Sequence, residues 1–307
     1  MPYSRARRAL LGALATLVLV PLTTCGEGSS PASPGPSTAP RSPAAAGPFT
    51  RAFKDLEREY GARLGVHAVD TGTGREVSHR AGERFAHASA FKALAAGAVL
   101  RKYGLGGIDR VTPYSAGDLI AHSPVTEKHA GTGMSLRALG EAAVRFSDNT
   151  AANLLLDAVG GPRGLDAALA GIGDDVTRLE RREPELNQWE PGSARDTSTP
   201  RALAGSLRAY VLGDVLGAGE RALLTEWLRT NTTGAGLIRA GVPRDWVVGD
   251  RTGTGSGWGV RNAIAVVWRP GAAPVVVAVM SNRRHRDAGH DDRLIAEATR
   301  VVTGALS

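Results

Sequence analysis

The order of apolar patterns along the chain constrains its fold more than any other feature. Alternating patterns typical of β-strands occupy 63–69 and a segment ending near His79, and they return only at 246–251, 262–269 and 274–281. Patterns with helical spacing occupy 49–60, 90–103, 136–146, 150–159, 163–170, 200–212, 218–229 and 292–303. We therefore predict an α+β fold in which both ends of the chain build one sheet and the helices between them form a second lobe.

The first 47 residues have a different composition from the rest. Residues 1–25 combine Arg5, Arg7 and Arg8 with an apolar run at 9–20 that is too short for a permanent membrane anchor. This combination is typical of an export signal, and the Arg7-Arg8 pair also resembles the twin-arginine export pattern. Residues 26–47 are rich in Gly, Ser, Pro and Ala, which is typical of a flexible tether. We expect the domain at 48–307 to work outside the cytoplasm.

The only cysteine of the chain, Cys25, ends this export signal in the sequence Leu22-Thr23-Thr24-Cys25. The sequence resembles a bacterial lipobox, in which the cysteine is acylated and becomes the new N-terminus. Thr24 stands where Gly or Ala is usual, so ordinary cleavage nearby with an unmodified thiol is the alternative. The protein is expected to be either secreted or anchored to the outer face of the cytoplasmic membrane.

Composition argues against several classes of function. One cysteine excludes an internal disulfide and a cysteine-based zinc site, and the seven histidines are scattered without a metal-binding spacing, so we predict neither metal nor cofactor. The net charge is +7, but only four of the 37 basic residues are lysines and the arginines are dispersed. Without a basic stripe or a stacking platform, nucleic-acid binding is not expected.

The first chemical motif is Ser89-Ala90-Phe91-Lys92, at the beginning of an apolar helical pattern. Residues three apart lie on one face of a helix, so the lysine amine can reach the serine hydroxyl. The N-terminus of a helix also favours developing negative charge. The alternative is a capping serine and a solvated lysine. Flanking Phe85, Phe91 and Leu94 argue against solvation of Lys92.

Three further motifs are each ambiguous when taken singly. Ser147-Asp148-Asn149 separates two helical patterns and also suits a helix cap. Arg251-Thr252-Gly253-Thr254-Gly255 ends a strand pattern and also suits a turn. Glu183-Pro184-Glu185-Leu186-Asn187 lies in a polar, proline-broken stretch at 178–199, which is too long for an ordinary connection. Long loops in compact domains are usually functional.

The four motifs, in this order and spacing, resemble those of the class A serine β-lactamases. The resemblance extends over essentially all of residues 49–305. It implies the fold of serine β-lactamases and penicillin-binding proteins, with a five-stranded antiparallel sheet in an α/β lobe at about 48–85 and 230–307. An all-helical lobe at about 86–229 would complete the domain. It further implies a monomer.

The resemblance also implies residue roles in acylation. Ser89 would attack the lactam carbonyl, and the base that activates it is left open between Lys92, if its neutral form is favoured, and Glu183 acting through a water. The backbone N–H groups of Ser89 and Thr254 would bind the oxyanion. Ser147 would relay a proton to the lactam nitrogen, and Asn149 would bond the amide side chain of the substrate. Asp148 is expected to hold its own loop.

In deacylation, the resemblance implies that Glu183 activates a water held by Asn187. Arg181 and Asp196 would pair across the neck of the loop at 178–199, which the resemblance identifies as the Ω-loop. This pairing would keep Glu183 in place. A cis peptide bond is plausible before Pro184.

The remaining expected roles concern the substrate. Arg251, Thr252, Gly253 and Thr254 match the strand that binds it, and Arg261 matches a second carboxylate-binding arginine. The family usually has lysine in place of Arg251, but the carbenicillin-hydrolysing enzymes have arginine. Arg251 therefore indicates penicillins and carboxypenicillins as the favoured substrates. The alternative is that lysine was replaced by neutral drift in an arginine-rich chain. One carbapenem-hydrolysing branch has bridged cysteines at the positions of Ala88 and Gly255, so that branch is disfavoured. His122 stands where an aromatic residue commonly flanks the cleft.

The implied function is hydrolysis of the β-lactam amide of penicillins, and of some cephalosporins, through a serine acyl-enzyme. Two alternatives share part of the motif set. One is a D-Ala-D-Ala peptidase of the penicillin-binding class, and the other is a tethered sensor that binds β-lactams without turnover. The Glu-x-x-Leu-Asn loop argues against both.

Overall fold

The computed structural model describes residues 48–307. The expected export signal, the tether and Cys25 lie outside these residues. Within them, no helix combines the length and the apolarity that a bilayer crossing requires. The strands are β1 Ala62–Asp70, β2 Glu76–His79, β3 Phe85–Ala86, β4 Val111–Thr112, β5 Met134–Ser135, β6 Thr197–Ser198, β7 Val247–Thr254, β8 Arg261–Trp268 and β9 Val275–Arg283. The helices are α1 Pro48–Glu59, α2 Phe91–Gly107, α3 Leu136–Arg145, α4 Asn149–Val159, α5 Gly161–Ala170, α6 Pro200–Val211, α7 Ala218–Arg229, α8 Ile238–Gly241 and α9 Asp292–Leu306.

The predicted sheet is confirmed, with five antiparallel strands in the order β2-β1-β9-β8-β7. The first long strand, β1, pairs along its whole length with the last strand, β9, so the two ends of the chain meet at the centre of the sheet. The two-residue strands β3 to β6 carry no readable periodicity and were not predicted, and neither was the single-turn helix α8.

Helices cover both faces of the sheet. Alternate residues of a strand point to opposite faces, and β9 shows this directly. Val276, Ala278 and Met280 pack with the core of the helical lobe, whereas Val277 and Val279 pack with residues of α1 and α9. Both faces of β9 are therefore buried.

Helix α2 runs through the centre of the helical lobe and packs against α3, α4 and α7. Every residue of α2 from Phe91 to Leu100 is buried, including Lys92. The packing of these residues fixes the beginning of α2, and the short turn that precedes α2 contacts β7. The predicted motifs at Ser89 and Arg251 meet there.

Candidate active site

Ser89 lies in a short 3₁₀ turn, Ala88–Ala90, that immediately precedes α2. Ala88 has a positive φ of 44°, a conformation that is costly for a residue other than glycine and is typical of functional sites. The side chain of Ser89 donates a hydrogen bond of 2.7 Å to Oε1 of Glu183. The serine hydroxyl is thus already paired with a carboxylate.

The end of β7 lies directly against this turn. A Cβ atom at Gly253 would stand 2.7 Å from the backbone oxygen of His87 and 3.0 Å from the backbone nitrogen of Ala90. Real Cβ atoms do not approach backbone atoms so closely, so this position requires glycine. Thr254, the next residue, follows at the edge of the cavity that contains Ser89.

Lys92 is completely buried at the centre of the polar network. Its Nζ donates to the backbone oxygen of Ser147 (2.8 Å) and to Oδ1 of Asn149 (2.6 Å), and it lies 3.1 Å from Oε1 of Glu183. Burial lowers the pKa of Lys92 to about 8, although attraction to Glu183 opposes the shift. Among the hydrogen bonds of residues 48–307, none joins Lys92 to Ser89, the contact that the motif spacing predicted.

The Ser147-Asp148-Asn149 motif lies between α3 and α4. Asp148 caps α4 by accepting from the backbone N–H of Ala151 (2.8 Å), and its carboxylate also accepts from the backbone N–H groups of Val125 and Thr126. Asp148 therefore holds its own loop. Ser147, with a positive φ of 59°, lines the cavity together with Asn149.

Glu183 projects from the Ω-loop into the buried network, where only 2% of the residue is exposed. The peptide bond to Pro184 is cis, as predicted. Asn187 donates from Nδ2 to Oε2 of Glu183. A partner that the sequence analysis missed is Asn153, whose amide side chain bonds both the N–H and the carbonyl of Glu183 (3.0 and 2.8 Å). Its position four residues after Asn149 on α4 places both amides on one helix face, which is a readable signal.

Glu183 is ionised in this environment. Burial alone would raise the pKa of its carboxyl, but attraction to Lys92 and hydrogen bonds from Ser89, Lys92 and Asn187 outweigh burial, so the pKa falls below its usual 4.5. The carboxylate is therefore available as a base at neutral pH.

Arg181 and Asp196 lie together at the neck of the Ω-loop. Nε of Arg181 donates to Oδ2 of Asp196 (2.6 Å), while Oδ1 of the completely buried Asp196 accepts from the backbone N–H groups of Glu180 and Arg181. The carboxylate thereby connects the chain segment that enters the loop with the segment that leaves it.

A cavity of about 380 Å³ opens onto Ser89. Its lining residues are Ser89, His122, Ser147, Asn149, Asn187, Thr233, Thr252, Thr254 and Arg261. Arg261 is held by both carboxylate oxygens of Asp292 and bonds the hydroxyl of Thr254. Thr233, which bonds the hydroxyl of Thr252 across the cavity wall, was not singled out from the sequence.

Arg251 does not line this cavity. It is completely buried, and it donates from one guanidinium nitrogen to Oγ of Ser147 (2.7 Å) and from the other to the hydroxyl of Thr252 (3.3 Å). Burial lowers its pKa to about 10, so the guanidinium stays charged at neutral pH. Arg251 therefore influences the cavity indirectly, through its hydrogen bonds to the hydroxyls of Ser147 and Thr252, which line the cavity.

The arrangement suits nucleophilic chemistry, because a serine hydroxyl is a weak nucleophile until a neighbouring base removes its proton. Within residues 48–307, no group of three or more His, Cys, Asp or Glu side chains stands close enough to hold a metal ion. The fold and the serine at the beginning of α2 define the class: a serine enzyme with the architecture of β-lactamases and penicillin-binding proteins.

Comparisons with known proteins agree with this class. The model of the Beta-lactamase enzyme family matches residues 48–306. A β-lactamase of Amycolatopsis lactamdurans is 58% identical over 273 residues, which are 89% of this chain and 89% of that protein. Beta-lactamase AST-1 of Nocardia asteroides is 51% identical over 312 residues, covering 100% of this chain and 98% of that protein. The crystal structure of a class A β-lactamase from Clostridium kluyveri DSM 555 superposes with a TM-score of 0.83 at 45% identity, covering 84% of this chain and 98% of that one.

The chain belongs to the class A β-lactamase family. It is a hydrolase that acts on β-lactams. The relatives do not favour the peptidase or the sensor considered above.

Proposed function

We propose that the protein opens the lactam ring of penicillins by acylating Ser89, and that Glu183 then activates the water that hydrolyses the ester. The observation that carries this proposal is the 2.7 Å hydrogen bond from Oγ of Ser89 to Oε1 of Glu183. This distance is within the range over which a general base takes a proton directly.

Glu183 is also the base for acylation in this account. Its carboxylate is ionised and already accepts the hydroxyl proton of Ser89 in a hydrogen bond. Lys92, with a pKa of about 8, is mostly protonated at pH 7 and donates to Asn149 and to Ser147. The charge of Lys92 instead keeps the carboxylate of Glu183 ionised.

After acylation, the oxygen of Ser89 belongs to an ester and no longer donates to Glu183. Oδ1 of Asn187 is buried and has no hydrogen-bond partner among residues 48–307, so it is free to accept from a water. A water between Asn187 and Glu183 would stand next to the ester carbonyl. Glu183 would take its proton as the water attacks.

Ser147 is placed to protonate the departing lactam nitrogen. Its Oγ accepts from Arg251 (2.7 Å) and from Lys92 (3.3 Å), which occupies its lone pairs and leaves its own proton for the cavity. The oxyanion of the tetrahedral intermediate would be bound by the backbone N–H groups of Ser89 and Thr254.

Penicillins and carboxypenicillins are the proposed substrates, because cationic and hydroxyl groups concentrate at one end of the cavity. Arg261, Thr233, Thr252 and Thr254 line that end and would bind the substrate carboxylate. Arg251 would strengthen this binding through the hydroxyl of Thr252. Asn149, which also lines the cavity, would bond the amide side chain of the substrate.

Continuous hydrolysis of ampicillin and nitrocefin by purified protein tests the proposed function. We expect turnover far beyond one lactam per enzyme, and complete loss of turnover in Ser89→Ala. A burst equal to the enzyme concentration and then no further hydrolysis would favour capture without turnover, and would contradict the hydrolytic role of Glu183.

We further propose that the protein is exported and works as a monomer, either secreted or tethered through an acylated Cys25. The composition of residues 1–47 supports export. Mass spectrometry of the mature N-terminus distinguishes a lipid-modified Cys25 from ordinary cleavage. Size-exclusion chromatography with light scattering tests the monomer.

A further inference from the structure

His87 lies two residues before Ser89 and has no exposed surface. Its main chain is bonded on both sides: the N–H donates to the backbone oxygen of Asp196 (3.1 Å), and the carbonyl accepts from the N–H of Ala90 (3.1 Å) and from the amide of Asn262 (3.2 Å). The backbone of His87 therefore joins the turn that carries Ser89 to the exit of the Ω-loop and to β8.

The imidazole ring makes a second pair of contacts. Nδ1 lies 2.9 Å from the backbone oxygen of Ala88, and Nε2 lies 3.1 Å from the backbone oxygen of Arg178, the first residue of the Ω-loop. Carbonyl oxygens only accept hydrogen bonds, and a neutral imidazole has a single N–H. Since each ring nitrogen faces a carbonyl oxygen, at least one of the two contacts is a hydrogen bond that the ring donates.

We infer that His87 is a positioning residue whose ring ties the turn of Ser89 to the entrance of the Ω-loop through the carbonyls of Ala88 and Arg178. With its backbone bond to Asp196, His87 holds both ends of the loop that carries Glu183. The 2.7 Å contact between Ser89 and Glu183 joins one residue from each of the segments that His87 connects. Loss of one ring hydrogen bond would loosen this contact.

The charged groups packed around the ring are engaged by other partners. The carboxylate of Asp166 on α5 accepts from the N–H of Leu179, beside the Arg178 carbonyl that the ring bonds. Burial raises the pKa of Asp166, and attraction to Arg178 and His87 opposes this rise. The carboxylate of Asp196 accepts from Arg181, and the guanidinium of Arg178 donates to the carbonyl of Thr177. The uncharged ring of Phe91 packs against the imidazole.

Imidazole ¹⁵N NMR of the wild-type protein tests the ring hydrogen bond without reference to activity. We expect a ring N–H of His87, assigned by through-bond correlations to its own backbone, to show a hydrogen-bond coupling to the carbonyl carbon of Ala88 or of Arg178. His67, whose Nδ1 lies 3.1 Å from the hydroxyl of Ser78, is an internal reference for a ring nitrogen that faces a hydroxyl. A His87 ring without coupling to either carbonyl would overturn the inference even if the variants below fail to fold.

The kinetic test uses two substitutions and a matched control. His87→Phe keeps a ring but removes its N–H donor, so we expect kcat to fall about 10-fold or more, with a smaller change in KM. His87→Gln retains an amide donor and should recover part of the loss. His67→Phe, on β1 and bonded to Ser78, should keep the wild-type kcat.

Wild-type kcat in a folded His87→Phe variant, or a loss that Gln does not relieve, would overturn the positioning role. The inference rests on the proposed roles of Ser89 and Glu183. If those roles fail, Ser89→Ala retains turnover, whereas the NMR result for His87 is unaffected, so the two failures are distinguishable.

Discussion

Replacing Asp196 by alanine should release the Ω-loop while leaving the fold in place. The completely buried carboxylate accepts three hydrogen bonds, from the backbone N–H groups of Glu180 (2.8 Å) and Arg181 (3.0 Å) and from Nε of Arg181 (2.6 Å). In Asp196→Ala all three donors lose their acceptor at the neck of the loop that carries Glu183.

The magnitude follows from the burial of the pair. Removing one partner of a buried ion pair typically costs about 3–5 kcal/mol, and the side chain of Arg181 retains 25% exposure, which places the loss near the lower end. A native domain is stable by about 5–15 kcal/mol, so most molecules stay folded. We expect the free energy of unfolding to fall by about 3 kcal/mol and kcat by about 100-fold, because Glu183 no longer stays within reach of the ester.

Urea unfolding and stopped-flow hydrolysis of benzylpenicillin measure the two effects. The matched control is Arg195→Ala, which removes the exposed pair between Arg195 and Glu180 in the same loop (side chains 61% and 50% exposed). Exposed pairs contribute about 0–1 kcal/mol, so this variant should resemble wild type. If Asp196→Ala and Arg195→Ala behave alike in both assays, the proposed role of the neck is refuted.

Three further predictions concern Lys92, Gly253 and Arg251. The folded-state pKa of Lys92, about 8, lies below its usual 10.5, so the unfolded chain binds more protons than the folded chain between these two pH values. The free energy of unfolding of the wild type should therefore rise by about 3 kcal/mol relative to that of Lys92→Met as pH increases from 8 to 10.5. Equal pH profiles of the two proteins in urea unfolding would contradict this. In Gly253→Ala the new methyl group clashes with the turn that carries Ser89, so the free energy of unfolding should fall by about 1–3 kcal/mol and most of the acylation rate should be lost. The control is Gly205→Ala, whose Cβ has open space around it, and this variant should be neutral or stabilising in thermal unfolding. Arg251→Lys should raise KM about 10-fold for benzylpenicillin and carbenicillin alike, because Arg251 acts through Thr252 on the carboxylate that both substrates carry. An unchanged KM for both substrates would contradict this role.

The arrangement of strands was predictable because alternating patterns occur only near the two ends of the chain. The site residues were predicted from the order and spacing of four motifs that resemble those of class A β-lactamases, because each motif taken singly also suits a cap, a turn or a loop. The shortest elements were not predictable, and neither was the 3₁₀ turn, whose positive φ at Ala88 depends on packing against β7.

The partners of the charged side chains could not be predicted from local spacing. The spacing of Ser89 and Lys92 predicts their contact. The ammonium instead bonds Ser147, which precedes α4, and Asn149 on α4, and it lies close to Glu183 of the Ω-loop, because the fold brings these acceptors to its tip. The role of His87 was equally hidden. Its ring acceptors come from a neighbouring residue and from a residue 91 positions away in the sequence, and only the folded chain brings them together.

Mass spectrometry of Glu183→Ala mixed with benzylpenicillin tests most directly whether this carboxylate drives hydrolysis of the acyl-enzyme. We predict that Glu183→Ala forms its adduct slowly, because acylation also loses its base. The adduct, with the added mass of one intact penicillin at Ser89, should then persist, because no carboxylate activates a water against the ester. Wild type, sampled at the same times, should return to its free mass as substrate is consumed. Wild-type turnover by Glu183→Ala, with no adduct accumulating, would contradict the account.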